Sequence, residues 1–260
     1  MIILGVTGPI GHGKTSLAEA FLRLVPGAQH TEASILIGRV ADALNIFYAK
    51  YHPTNKDIPA INAWLSHLPS ILKEVVHFPD TIQPIQISDG YDLAADLDFQ
   101  KLSEYLQLLE EKPGLAAQTI TVENKEQYRS ILQWLGGYIT THIHPTLWFD
   151  ELLREGNRAE KESCPLFLIG GVRFPSNAEV IKKAGGLIVD IERPSVAELD
   201  MQDSTEANRR AISVDTVIIN DANLAALDTV VQRMWRDLQH NTLQKEYRAS
   251  SKSTAPAAQG

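Results

Sequence analysis

Residues 8–15 read GPIGHGKT, a complete G-x-x-x-x-G-K-[ST] motif. The motif follows an apolar run at 2–6 and precedes a helical pattern at 14–24, which is the strand–loop–helix context that it requires. Glycines let the backbone N–H groups of such a loop turn inward around phosphate oxygens, and the following helix adds the positive end of its dipole. The stretch therefore predicts binding of a nucleoside triphosphate on an α/β fold.

The residues of this motif carry its predicted chemistry. Lys14 is expected to reach the β- and γ-phosphates, and the Thr15 hydroxyl is expected to bind Mg²⁺. His12 occupies a variable position of the loop, and we expect its side chain to face solvent. The predicted triphosphate site comprises Gly8, Gly11, His12, Gly13, Lys14, Thr15 and Ser16.

The rest of the chain alternates short apolar runs with helical patterns, which is typical of a parallel sheet covered by helices. We predict a three-layer P-loop NTPase fold, with a mostly parallel sheet and helices on both faces. Strands are predicted at 2–6, 82–87, 166–169, 187–191 and 216–219. Helices are predicted at 14–24, 35–49, 60–68, 99–111, 125–141, 147–158, 176–184, 205–211 and 224–239.

The composition argues against several classes of function. The chain of 260 residues has a net charge of −8, which disfavours nonspecific nucleic-acid binding through a basic surface. No apolar run approaches the length of a membrane span, and the sequence begins with a strand pattern rather than a charged leader. The single cysteine, Cys164, excludes an internal disulfide and fits a reducing compartment. We expect a cytoplasmic protein without nucleic-acid or membrane partners.

Arg173 follows an apolar strand pattern, where ligands bind at the carboxyl ends of parallel strands. A guanidinium at that point could hold a phosphate through two parallel hydrogen bonds. It could equally be a surface arginine that pairs with a carboxylate such as Glu179. Position alone leaves both interpretations open.

Three further groups of residues carry a resemblance to a known family. The first group consists of RSILQWLG at 129–136, followed by LWF at 147–149. The second consists of GVRFP at 171–175, followed by Glu179 and by AGG at 184–186. The third consists of IERP at 191–194, followed by STE at 204–206 and VIIND at 217–221. Together with the loop at 8–15, these stretches resemble, in order, the phage-type deoxynucleoside monophosphate kinase family of the nucleoside monophosphate kinase-like group.

The resemblance implies transfer of the γ-phosphoryl group of ATP to a deoxynucleoside 5′-monophosphate, with Mg²⁺. It implies that Arg129 and Arg173 grip the acceptor phosphate, with Lys14 as the third catalytic residue. Trp148 and Arg39 would lie on the acceptor side. The resemblance also implies a homodimer. It places Arg193, and less directly Arg209 or Arg210, on a lid over the transferring phosphoryl group, and Asn220, Asp221 and Ala222 near the ATP base.

These implications define the predicted organisation. One P-loop kinase domain covers 1–240, with a helical acceptor-binding insert at about 50–125, where prolines break the pattern. A small lid covers about 193–213, and 241–260 form a disordered tail rich in Ser and Ala towards its end.

The chain departs from the family pattern at two positions. In this chain Gly171 follows the strand that precedes Arg173. Many P-loop enzymes carry an aspartate at the equivalent position, where it helps to hold Mg²⁺. Asp42 and Asp89 are the carboxylates that we consider instead. Asn177 stands near the expected place of a glutamate, which leaves the base specificity open.

Three alternatives to a nucleotide kinase remain at this point. The first is a kinase of the same fold that acts on another small acceptor, such as dephospho-coenzyme A. The second is an ATP- or GTP-hydrolysing switch or motor, although no carboxylate or glutamine motif for orienting water is evident. The third is a nucleotide-binding protein without catalysis.

Overall fold

The computed structural model describes residues 1–78, 82–196 and 208–249. These residues divide into two compact units. The sheet unit comprises 1–32 and the chain from Leu152 onward, and the helical unit comprises Ala33–Glu151.

The sheet unit is built on six parallel strands. Their order is β2-β3-β1-β4-β5-β6, so β1 lies between two strands that come later in the chain. All five pairings are parallel, which confirms the predicted α/β class. The strands are β1 Ile2–Thr7, β2 Gln29–Glu32, β3 Leu166–Gly170, β4 Leu187–Glu192, β5 Thr216–Asn220 and β6 Glu246–Ala249.

The helices are numbered here in chain order. They are α1 Lys14–Leu24, α2 Ala33–Asn45, α3 Tyr48–Tyr51, α4 Ile58–Leu65, α5 Leu68–Val75, α6 Gln100–Glu111, α7 Arg129–His142, α8 Leu147–Lys161, α9 Pro175–Lys183 and α10 Leu224–Gln239. Two 3-10 turns, Pro113–Ala117 and Lys125–Tyr128, precede α7.

Helices cover both faces of the sheet. On one face, α1 and α10 share a buried core with Leu4 and Val6 of β1. On the other face, α9 approaches β1 so closely that a Cβ on Gly5 would lie 2.8 Å from Ile181 Cδ1. The part of α8 in this unit packs on β3 on that same face, where Gly156 leaves room for Phe167. The predicted three-layer arrangement is therefore confirmed.

The helical unit contains α2 to α7, the start of α8 and the segment 82–87, which was predicted as a strand. That prediction is wrong. Ile85 and Ile87 are buried, but the Asn62 side chain takes the place of a partner strand. Asn62 Nδ2 donates to the Ile87 carbonyl at 2.8 Å, and the Ile87 N–H donates to Asn62 Oδ1 at 2.9 Å. An apolar run can thus be buried in extended form without joining a sheet.

Two strands of the sheet were not predicted. β2 reads QHTE and lacks the apolar run that marked the other strands. β6 falls inside the stretch predicted as a disordered tail, so that prediction is wrong for 246–249. Tyr247 fixes β6 to α10, because its buried hydroxyl donates to Asp237 Oδ2 at 2.7 Å. Residues 250–260 of the predicted tail lie outside the described residues.

The remaining predictions on organisation are only partly described. The predicted insert at 50–125 lies within the helical unit, and its acceptor-binding role stays a prediction. Of the predicted lid at 193–213, residues 197–207 lie outside the described residues, and so do residues 205–207 of the helix predicted at 205–211. In the described part of the chain, every helix is too short or too polar to cross a membrane.

Candidate functional site

The glycine-rich loop at 8–15 leaves the carboxyl end of β1 on a path that requires glycine. Gly8 has φ +148° and Gly13 has φ +102°, values that side chains of L-residues rarely permit. A Cβ on Gly8 would lie 2.5 Å from the Ile191 carbonyl oxygen, and one on Gly13 would lie 2.7 Å from Asn220 Nδ2. The loop is therefore fitted closely against the ends of β4 and β5.

The loop leads into the N-terminus of α1. Gly13 is the capping residue, and no side chain among the described residues caps this end of the helix. The first N–H groups of a helix lack partners within it, and the helix dipole makes this end positive. Thr15 lies exposed on the first turn. The arrangement suits an anion and leaves the Thr15 hydroxyl accessible beside it.

Lys14 turns back over the loop. Its Nζ donates to the carbonyl oxygens of Gly8 and Pro9, both at 2.7 Å. The side chain also borders a cleft at the carboxyl end of the sheet. Residues lining this cleft are Gly8, Ile10, Lys14, Gly171, Val172, Arg173 and Arg209. Three cationic residues from separate parts of the sequence therefore meet at one cleft, which we call the cationic cleft.

Arg173 reaches this cleft from the turn between β3 and α9. Buried Asn177 holds the turn, because its Oδ1 accepts the N–H groups of Arg173 at 3.3 Å and Phe174 at 3.1 Å. Asn177 thus fixes the backbone that carries Arg173. The Arg173 residue itself is exposed, so its guanidinium is accessible to a ligand.

The prediction that the His12 side chain faces solvent is wrong. The residue is 4% exposed, and its Nδ1 accepts the backbone N–H of Arg193 at 2.9 Å. Asn220 Nδ2 donates to the His12 carbonyl at 3.4 Å. The prediction failed because the loop folds back over the ends of β4 and β5, which turns a variable position inward. His12 therefore ties the loop to the segment that follows β4.

Asp190 is a residue near the cleft that sequence reasoning missed. It lies on β4 beside Thr7 of β1, is buried, and pairs with Arg209 through Oδ2 and Nη1 at 3.3 Å. Burial raises the pKa of the Asp190 carboxyl, while the charges of Arg209 and Lys14 lower it. The signal was present, since LIVDIE places a carboxylate between apolar residues in the interior of a buried strand.

Both carboxylates considered for Mg²⁺ belong to the helical unit. Asp42 belongs to the helical unit, where its Oδ1 and Oδ2 accept the Ile120 N–H at 3.1 and 3.2 Å. Burial raises the pKa of Asp42. Asp89 is exposed in a turn of the same unit. Among the described residues, no cluster of three or more His, Cys, Asp or Glu side chains could hold a metal. Thr15 is exposed on the first turn of α1, and its binding of Mg²⁺ stays a prediction.

The predicted acceptor residues lie in the helical unit. Arg39 is exposed on α2, and Arg129 begins α7, where its Nε donates to Glu126 Oε2 at 3.0 Å. Trp148 is buried within the unit, and its Nε1 donates to the Gly136 carbonyl at 3.4 Å. A core position suits Trp148, so its contact with a nucleotide stays a prediction.

The residues predicted near the ATP base lie at the end of β5. Asn220 is buried against the loop, and exposed Asp221 pairs with Arg248 of β6 at 3.5 Å. Arg193 is half-buried directly after β4, with its backbone held by His12. The structure therefore brings Asn220 and Arg193 to the loop through the same residue, His12.

No family model matches this chain, and comparison with curated proteins finds a similarity to a viral protein. The similar protein, from Acanthamoeba polyphaga mimivirus, is named "putative deoxynucleotide monophosphate kinase". The two are 33% identical over 95 residues, which is 36% of this chain. The match spans about half of that relative, 46% of its length. The similarity supports a relationship to a kinase-like family and no finer assignment.

Proposed function

We propose that this protein transfers the γ-phosphoryl group of ATP to a (deoxy)nucleoside 5′-monophosphate, with Mg²⁺. The observation that carries the proposal is the cationic cleft, where Lys14, Arg173 and Arg209 meet next to the uncapped start of α1. Phosphoryl transfer depends on positioning and on positive charge around the equatorial oxygens, which such a cleft supplies. The similarity to a protein named as a nucleotide kinase also supports a kinase activity.

In this proposal the loop at 8–15 holds ATP through its backbone. The N–H groups of the loop and of the first turn of α1 bind the phosphates. Lys14 gives up its bonds to the Gly8 and Pro9 carbonyls and donates to the β- and γ-phosphates. Mg²⁺, bound by Thr15 and the phosphates, would neutralise the charge that develops on the β- and γ-oxygens. Asn220 and Asp221 would lie near the base.

The acceptor phosphate would approach Arg173 from the open side of the cleft. A guanidinium can hold a phosphate with two parallel hydrogen bonds, so Arg173 would align it with the γ-phosphorus. Arg129, Arg39 and Trp148, which lie in the helical unit, are proposed to bind the acceptor nucleotide. No general base is needed, because a phosphate acceptor is already anionic at neutral pH.

A coupled ADP-release assay with ATP and Mg²⁺ tests this proposal. It is screened against each deoxy- and ribonucleoside monophosphate and against dephospho-coenzyme A. We expect ADP to form only with one or a few monophosphates. ADP formation without an acceptor would identify a hydrolase, and ADP formation only with dephospho-coenzyme A would identify the related kinase. ATP binding without turnover would identify a noncatalytic binding protein.

A further inference from the structure

A buried ion pair lies beneath the cationic cleft. Asp190 Oδ2 and Arg209 Nη1 are 3.3 Å apart, and the two side chains are 10% and 8% exposed. Asp190 is central in the sheet, because β4 pairs with β1 on one side and with β5 on the other. An ion pair at this depth has lost almost all of its hydration.

Packing gives Asp190 little compensation for that loss. In the described part of the chain, no hydrogen-bond donor reaches its Oδ1, and the neighbouring Thr7 hydroxyl also lacks a partner there. The Ile191 N–H and the charge of Lys14 favour the carboxylate and Glu192 on the same strand repels it, but burial outweighs the favourable interactions and raises the pKa of Asp190. Buried ion pairs contribute little to stability even when their hydrogen bonds are complete. Stability is therefore a poor explanation for a carboxylate at this position.

The position of Arg209 offers a better explanation. The residue that pairs with Asp190 also lines the cationic cleft with Lys14 and Arg173. Arginine side chains are long and adopt many rotamers, so an arginine that must meet a ligand loses entropy on binding. A buried carboxylate that already holds the guanidinium removes much of that loss before the ligand arrives.

We propose that Asp190 is a positioning residue, which holds Arg209 at the cationic cleft so that its guanidinium is in place for the transferring phosphoryl group. The inference rests on the proposed function, and it adds a residue to which the sequence assigned no role. Asp190 does not touch the substrate in this proposal. It acts only through Arg209.

A double-mutant cycle on the full chain tests this coupling. Arg209→Ala should lower kcat about 100-fold, which is typical of losing one preorganised donor. Asp190→Asn is nearly isosteric and should lower kcat about tenfold, because the arginine remains but is no longer held in place. KM for ATP should change less than kcat. The double variant should be no slower than Arg209→Ala alone.

Asp215→Asn is the matched control. Asp215 also pairs with a cation, Lys182 at 3.2 Å, and accepts the Ile188 N–H at 2.8 Å, near the start of β4. Its loss should reduce thermal stability and leave kcat unchanged. Asp190→Asn should lower kcat as well as thermal stability, because it leaves the buried Arg209 charge without its partner. If Asp190→Asn does not fold, the cycle is run with Asp190→Glu, which displaces the carboxylate by one methylene.

The proposal is overturned if the Asp190 variant keeps wild-type kcat, or if its effect is equally large with and without Arg209. A wild-type protein without any transfer activity would refute the proposed function instead. The cycle is then measured as the affinity for a nonhydrolysable ATP analogue relative to ADP. The positioning role is supported if Asp190→Asn lowers the preference for the ATP analogue over ADP in the wild-type background but not in the Arg209→Ala background. It is overturned if the two substitutions lower this preference independently, so that their effects add.

Discussion

The sheet unit and the helical unit use their cationic residues in different ways. In the sheet unit, Lys14, Arg173 and Arg209 come from distant parts of the sequence and meet at one cleft. In the helical unit, Arg129 pairs with Glu126 three residues earlier. Arg39 lies exposed on another helix, α2. The first unit concentrates positive charge, and the second pairs Arg129 with a near neighbour in the sequence.

The topology of the sheet accounts for this difference. Parallel strands bring their carboxyl ends to one edge, so residues after β1 and β3 become neighbours whatever their separation in sequence. A helical unit has no such shared edge, and each side chain takes the environment of its own helix face. Phosphate chemistry is therefore expected in the sheet unit, and acceptor selection is proposed for the helical unit.

Lys14→Ala should have the largest effect. Removing the ammonium should lower transfer by at least about 1000-fold, because it takes a fixed positive charge away from the β- and γ-phosphates. The fold should persist, since the loop path depends on glycines and backbone. Turnover and thermal unfolding measure the two effects. Lys73→Ala on α5 is the control, and near-normal turnover in Lys14→Ala would refute the site.

Arg173→Ala and Arg129→Ala compare the two units. We expect Arg173→Ala to lower kcat about 100-fold, as for the loss of one charge-stabilising donor at a reacting group. Arg129→Ala should instead raise KM for the monophosphate about tenfold with less effect on kcat, as expected for uniform binding. Initial rates at varied acceptor concentration separate the two parameters. A kcat effect for Arg129→Ala together with a KM effect for Arg173→Ala would contradict our placement of the phosphate chemistry in the sheet unit.

Gly13→Ala and Gly137→Ala are glycine changes of opposite expected sign. Gly13 has φ +102° and no room for a Cβ, so alanine should cost about 1–3 kcal/mol and weaken ATP binding. Gly137 lies exposed within α7 with open space around it, so alanine should stabilise by up to about 1 kcal/mol. Chemical denaturation and ATP titration measure both. If Gly13→Ala and Gly137→Ala change the free energy of unfolding and ATP binding equally, the tight fit of the loop around Gly13 is contradicted.

The pH dependence of stability is the smallest expected effect. Burial raises the pKa of Asp190, so the folded protein binds the proton of this carboxyl more tightly than the unfolded chain does. The stability that Asp190 contributes is complete below its unfolded pKa and is lost as pH rises through its folded pKa. Relative to Asp190→Asn, the wild type should therefore gain stability on acidification from neutral pH. Urea titrations of both proteins at several pH values test this, and a constant difference would contradict it.

Local sequence signals were sufficient to predict the bounds of two helices of the sheet unit. α1 was predicted at 14–24 and α10 at 224–239, and both have those bounds, because each has a continuous apolar face and a clear end. β2 was missed because QHTE has no apolar residue. The inward position of His12 and the pairing of Asp190 with Arg209 depend on contacts between distant segments. Such contacts follow from the sheet order, which no local pattern specifies.

The fate of a labelled γ-phosphate distinguishes transfer from every alternative. The wild-type protein is incubated with Mg²⁺, [γ-³²P]ATP and each nucleoside monophosphate, and the products are separated. We expect the label in the diphosphate of one or a few acceptors, and we expect Arg173→Ala to reduce that transfer strongly. Label released as inorganic phosphate at the same rate with or without an acceptor would contradict the proposed function, as would label that remains in ATP.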